Sequence, residues 1–173
     1  STPKPSSAAS DVYKRQINIL VSFALLPALG TFFVAVGAYD PQSLLMILPI
    51  GLITVAILHA NNTRDVKTDL QAGLGTITTS VSLMNAKAIY AFEIFAPYAL
   101  ALLYVVLLGQ PWTLLAVVLT LPLALRNVRT MIQAEDDLPY RGIQRLDQTT
   151  AQLQMAFGLL YALGFFLGSW LGV

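Results

Sequence analysis

Long apolar runs alternate with short polar breaks along the whole chain. No charged residue falls between Ile17 and Tyr39, between Pro41 and Ala60, between Ile94 and Leu125, or between Gln148 and Val173. A helix needs about 20 apolar residues to cross about 30 Å of hydrocarbon. The pattern predicts five spanning helices: Ile17–Ala38, Ser43–Ala60, Ala88–Leu108, Trp112–Met131 and Thr149–Trp170. The breaks carry turn chemistry: Gly37-Ala38-Tyr39-Asp40-Pro41, Asn61–Thr79, Gly109-Gln110-Pro111 and Arg126–Asp147. Pro27, Pro49, Pro97 and Pro122 lie inside spans. Neighbouring helices can satisfy the carbonyls a proline frees in a membrane, so kinks are expected there, not ends. A membrane β-barrel would show short alternating strands, and these runs are continuous.

The basic residues give an independent test. With the N-terminus on side X, the turns at Asp40 and at Gln110 fall on side Y. Every Lys and Arg then lies on X or at its edge: Lys4, Lys14, Arg15, Arg64, Lys67, Lys87, Arg126, Arg129, Arg141 and Arg145. The positive-inside rule makes X the cytosolic face, or its organelle equivalent.

Composition agrees. The chain of 173 residues is 56% hydrophobic and 11% charged, against about 25% charged in soluble domains. Its net charge of +1 makes no field for nucleic-acid backbones, and nucleic acid is not an expected partner. The absence of cysteine excludes disulfides and zinc-thiolate chemistry. The expected class is an all-α, polytopic transmembrane helical bundle in the lipid bilayer. Residues 1–16, rich in Ser, Pro and Ala, read as a disordered or non-native leader, and residues 17–173 as the transmembrane domain.

One break carries chemistry. Asn61, Asp65 and Asp69 follow each other at intervals of four, which places them along one face of a helix. Stacked carboxylates repel unless a cation lies between them. Mg²⁺ takes oxygen ligands, commonly one or two carboxylates plus substrate phosphates. Asn61 and Asn62 add neutral oxygens and amide donors, and Arg64 and Lys67 supply charge for phosphate. A metal-bound diphosphate with an apolar tail suits this combination at a membrane face. A merely solvated loop also shows such spacings.

The string Asn61-Asn62-Thr63-Arg64-Asp65, with Asp69, Gly73 and Thr76-Ile77 behind it, resembles the second aspartate-rich motif of the UbiA superfamily of intramembrane prenyltransferases. It is most similar to the menaquinone-type branch, which prenylates 1,4-dihydroxy-2-naphthoate, and within it to the animal enzymes. Ile57-Leu58-His59, Thr150-Ala151-Gln152-Leu153 and Gly158-Leu159-Leu160-Tyr161 extend the likeness over most of Ser43–Leu171. Leu70 and Leu74 depart from the basic residues usual in bacterial members. Leu74 suits the animal branch, and Leu70 leaves one cation fewer.

The resemblance implies a nine-helix fold of which this chain is similar to helices five to nine. The family's first aspartate-rich motif is not in these residues. Asp65 and Asp69 would be the catalytic Mg²⁺ ligands, with Asn61, Asn62, Arg64 and Lys67 at the diphosphate. The expected partners are an isoprenyl diphosphate and an aromatic quinone precursor. The expected activity is Mg²⁺-dependent prenyl transfer in menaquinone or vitamin K-type quinone biosynthesis. The isolated chain is expected to turn over little or nothing. A non-catalytic membrane subunit derived from the same fold is the alternative. The expected setting is an endomembrane, with plastid, mitochondrion or bacterial inner membrane as other settings.

Other residues stand apart from that motif. Glu93 lies within a span, where an ionisable group is costly. His59 is a candidate base at the cytosolic mouth or a local hydrogen-bonding group. Tyr98, Tyr104, Tyr161, Trp112 and Trp170 read as anchors or packing. Glu135-Asp136-Asp137 reads as a solvated loop, and Arg126 and Arg129 share a face suited to phosphate or anionic lipid. Gly164, Gly168 and Gly172 invite close helix packing, within the fold or in a homo- or hetero-oligomer through the last span.

Overall fold

A computed structural model of the chain describes residues 17–18, 20–135 and 141–173. The leader assigned to residues 1–16 lies outside them, as do Asp136 and Asp137. Helix α1 covers Val21–Val36 and opens with a π-helical turn, Val21–Leu25. Helix α2 covers Pro41–Arg64, and two short helices follow, α3 over Val66–Gln71 and α4 over Ile77–Ser80. Helix α5 covers Leu83–Leu108, α6 Trp112–Ile132 and α7 Leu146–Leu171. Helices α2, α5, α6 and α7 are long and apolar enough to cross a membrane, and α1 is a shorter apolar helix. The protein is a multi-pass integral membrane protein built as an all-helical bundle.

Local chemistry sets the ends. Asp40 caps α2 by accepting from the Gln42 amide at 3.0 Å, with Pro41 at the first helical position. Ser82 caps α5 through the Asn85 amide. Helices α1 and α5 stop at Gly37 and Gly109, both left-handed, where a side chain would strain the backbone. The second span runs four residues past its expected end at Ala60, through Asn61 to Arg64.

Helix α6 starts as nine residues of 3₁₀ helix, Trp112–Thr120, and becomes α-helical from Leu121. Pro122 has no amide hydrogen for the Val118 carbonyl, and the Leu121 amide takes that carbonyl from one residue nearer. Pro49 likewise frees the Leu45 carbonyl, which accepts the Tyr104 hydroxyl at 2.6 Å. The adjacent Met46 carbonyl accepts the Tyr161 hydroxyl at 3.0 Å. Pro49 is thus accommodated by a neighbouring helix and Pro122 within its own, and Tyr104 and Tyr161 are packing groups with bonded hydroxyls.

Helix α7 packs against α2 and the 3₁₀ part of α6, and α2 packs against α5. One core cluster, around Tyr90, Ile94, Met131 and Leu153, lies toward the end that carries Arg64. The other gathers Ile53, Ala101, Leu114, Val117, Phe157 and Tyr161. Large apolar side chains such as Phe92, Leu119, Phe166 and Trp170 point outward, as expected where the solvent is lipid.

Gly164 and Gly168 are spent inside this bundle. A Cβ on Gly164 would lie 2.8 Å from the Thr113 carbonyl oxygen and 2.9 Å from Leu114 Cα. On Gly168 it would lie 2.2 Å from Pro111 Cβ. Neither a backbone nor a proline ring can rotate away. Gly164→Ala is expected to cost about 1–3 kcal/mol as an overpacking change. Gly158, with nothing within 4 Å of its added Cβ, should tolerate alanine. Thermal unfolding of the intact protein in detergent checks both, and equal melting temperatures would contradict the assigned packing.

Candidate functional site

The C-terminal end of α2 carries the polar motif. Asn61 to Arg64 complete the helix, and Asp65 forms a turn before α3. The i→i−4 ladder continues through that turn: the Asp65 amide bonds Asn61 O at 3.0 Å, and the Asp69 amide bonds Asp65 O at 2.9 Å. Asn61, Asp65 and Asp69 therefore follow one another turn by turn, although the helix is interrupted.

Arg64 is the hub. Its Nε donates to Asp65 Oδ1 at 2.8 Å and its Nη2 to Asp65 Oδ2 at 2.9 Å, a bidentate pair. Nη2 also donates to Asn61 Oδ1. Nη1 reaches across to α7 and donates to Asp147 Oδ2 at 2.5 Å. The Arg64 hydrogen bond, reinforced by its charge, holds the Asp65 carboxyl below its ordinary value despite partial burial. Asp147 was not singled out in the sequence, where it sits at the end of a loop 83 residues away. A lone acid just before an apolar run is the only signal it gives.

The remaining motif residues are placed differently. Asp69 is half-buried and, among the described residues, has no side-chain partner. Lys67 is exposed. Asn62 contributes its carbonyl, which accepts from Thr78 Oγ1 at 2.9 Å and ties α4 to the end of α2. Arg126, Arg129 and Glu135 are exposed.

Below the hub lies an apolar cleft between α1, α2 and α7. Its mouth, about 300 Å³, is lined by Asn61, Asp147, Leu58, Ile57, Thr54 and Phe23. Phe23 and Thr54 also border a larger section of about 590 Å³. That section shares Ala28, Phe32, Ile47 and Ile50 with a third, of about 480 Å³, which reaches Asp40 and Gln110. The lining residues of neighbouring sections overlap, so that the walls run from Asn61 and Asp147 to Asp40 and Gln110.

His59 stands on the other side of α2. It is 0% exposed, and its Nδ1 lies 2.9 Å from Glu93 Oε2 on α5. The Tyr90 ring meets it edge-on at 6.0 Å. His59 is therefore sealed between helices and does not line the mouth, where a base had been considered. Glu93, equally buried, has this histidine as its partner.

Among the described residues, no three acidic or histidine side chains are close enough to hold one metal ion. Arg64 is already balanced by Asp65 and Asp147. Among the described residues, Asp147 Oδ1 is buried with no hydrogen-bond partner and the Asp69 side chain has none either. An end with surplus carboxylate and unsatisfied oxygen suits a hard cation arriving with its own anionic ligands.

Comparison with known proteins agrees with the geometry. Residues 12–141, well over half of the chain, match the UbiA prenyltransferase family. The chain is 33% identical over 153 residues to UbiA prenyltransferase domain-containing protein 1 of Xenopus tropicalis, covering 86% of this chain and 41% of that protein. It is 31% identical over 150 residues to the Homo sapiens protein of the same name, covering 86% and 41%. The Drosophila melanogaster homolog is 34% identical over 149 residues, covering 83% and 38%. The chain thus spans about two fifths of the length of these curated relatives. An apolar helical bundle, an Asp-Arg-Asn motif closing one end of a lipid-depth cleft, and this match together place the chain in the UbiA prenyltransferase family.

Proposed function

We propose that the intact protein transfers an isoprenyl chain from an isoprenyl diphosphate to an aromatic, naphthoquinone-type acceptor, with Mg²⁺, as in menaquinone or vitamin K-type quinone formation. The observation that carries this reading is Arg64, clamped between Asp65 and Asp147 at the mouth of a cleft with apolar walls. The mouth suits a charged head and the walls an isoprenoid tail.

Asp65 and Asp69, together with the diphosphate's own oxygens, would hold Mg²⁺. When bound, the ion neutralises the diphosphate and stabilises it as a leaving group. Arg64, fixed by its two acids, presents the one N–H left on Nη1 to a phosphate oxygen without rearranging. Asn61 orients that guanidinium and borders the cleft. Lys67 can add charge from the exposed side of the motif. The apolar walls between Asn61 and Ile47 exclude water from the allylic carbon. An oligomer through the last span would have to use the outer face of α7, around Phe166 and Trp170, because Gly164 and Gly168 are already covered. An internal membrane is the setting this reading favours.

The test is prenyl transfer by the intact protein in lipid nanodiscs, with a C20 prenyl diphosphate and dihydroxynaphthoic acid. Product should form with Mg²⁺, stop when the metal is chelated, and resume on its return. Transfer that persists under complete chelation would remove the metal from the reading.

A further inference from the structure

Halfway into the cleft, two polar side chains interrupt its apolar wall. Thr54 lies seven residues before Asn61 on α2, and Gln154 seven residues after Asp147 on the antiparallel α7. Both are about 10 Å deeper than Asn61 and Asp147. Gln154 Nε2 donates to Thr54 Oγ1 at 2.5 Å, and Thr54 Oγ1 donates its own hydrogen to the Ile50 carbonyl at 3.0 Å.

That bookkeeping fixes the amide. The hydroxyl has one hydrogen, already used, so it can only accept from Gln154. The NH₂ group therefore faces Thr54, and the carboxamide oxygen faces away. Among the described residues, that oxygen and the second amide hydrogen have no partner. Both residues line the 590 Å³ section, beside Phe23 and Pro27. An amide with most of its hydrogen-bonding capacity unused is costly at hydrocarbon depth.

We propose that the Thr54–Gln154 pair is the subsite for a ring oxygen of the aromatic acceptor, a phenolic hydroxyl or a carbonyl. The assignment rests on the prenyl-transfer reading. Gln154 offers one acceptor and one donor at a single depth in an otherwise apolar wall, where the hydroxyl of Thr31 is already bonded to the Pro27 carbonyl. The interval up to Asn61 accommodates one flat ring system lying under the diphosphate. Phe23, which borders the cleft above and below Thr54, supplies an aromatic face to stack on it.

The experiment uses the intact protein in nanodiscs, with a C20 prenyl diphosphate as donor and dihydroxynaphthoic acid or its monomethyl ethers as acceptor. Gln154→Leu should raise the acceptor KM about tenfold, the effect of one lost hydrogen bond. The donor KM and the melting temperature should not change, and Gln154→Asn should recover part of the loss. The wild type should discriminate against at least one methyl ether, and Gln154→Leu should lose that discrimination. An unchanged acceptor KM overturns the assignment. So does a rise in both KM values with a fall in melting temperature, the mark of a mere helix tie. If the wild type transferred nothing, the prenyl-transfer reading would fall. Equilibrium binding of dihydroxynaphthoic acid would still decide the subsite, equal affinity of wild type and Gln154→Leu overturning it.

Discussion

Alanine at Asp69 in the intact protein is expected to slow Mg²⁺-dependent prenyl transfer by about a hundredfold to a thousandfold, the range for removing one preorganised electrostatic group. Asp69 is the cleaner of the two motif acids to test. It has no side-chain partner among the described residues, so its loss should leave the melting temperature unchanged. Asp65→Ala should lose at least as much activity, and it also releases Nε and Nη2 of Arg64. Steady-state rates at saturating donor, with melting curves beside them, separate the two roles. Full turnover in Asp69→Ala would remove it from the site.

The Asp65–Arg64 pair also carries a pH signature. Its hydrogen bond with Arg64 lowers the folded-state carboxyl below its unfolded value. A group lowered on folding contributes stability that is complete above the unfolded value. That contribution disappears as pH falls through the folded value. The acid limb of the stability profile should therefore flatten in Asp65→Ala, while the neutral range is little affected. Half-exposure of the pair keeps the size of this effect small.

The second large effect concerns His59 and Glu93. Replacing either alone by leucine strands the other in the apolar interior and should cost about 3–5 kcal/mol. Replacing both by leucine should restore most of the loss, because a well-packed apolar pair can match a buried polar one. Denaturant unfolding in mixed micelles gives the four corners of the cycle. Additive losses in the double variant would show that the two side chains do not act on each other.

The helical spans were legible because long stretches of them carry no charge, and a missing charge needs no partner to be read. The motif at Asn61–Asp69 was legible for a similar reason, its spacing being local. What escaped was contact between distant residues. Asp147 faces Arg64 only because α7 runs back along α2, and no local pattern announces that. Glu93 stands out by its cost at membrane depth, and His59 reads as a base or a hydrogen-bonding group, but nothing local pairs the two across 34 residues. The extension of α2 to Arg64 was missed because polarity was taken as the end of the helix. Arg64's own bonds to Asn61, Asp65 and Asp147 hold that last turn together. The 3₁₀ stretch of α6 is apolar on every side and so leaves no periodicity to read.

That stretch has a geometric consequence. A 3₁₀ helix rises about 2.0 Å per residue, against about 1.5 Å in an α-helix. Trp112–Thr120 therefore reaches about 18 Å with nine residues that would otherwise reach about 13 Å. The gain lets the 21 residues of α6 keep pace with the 26 of α5 and α7. Rewound to ordinary pitch, α6 would fall short by nearly a full turn and pull Arg126 and Arg129 down toward the acyl chains.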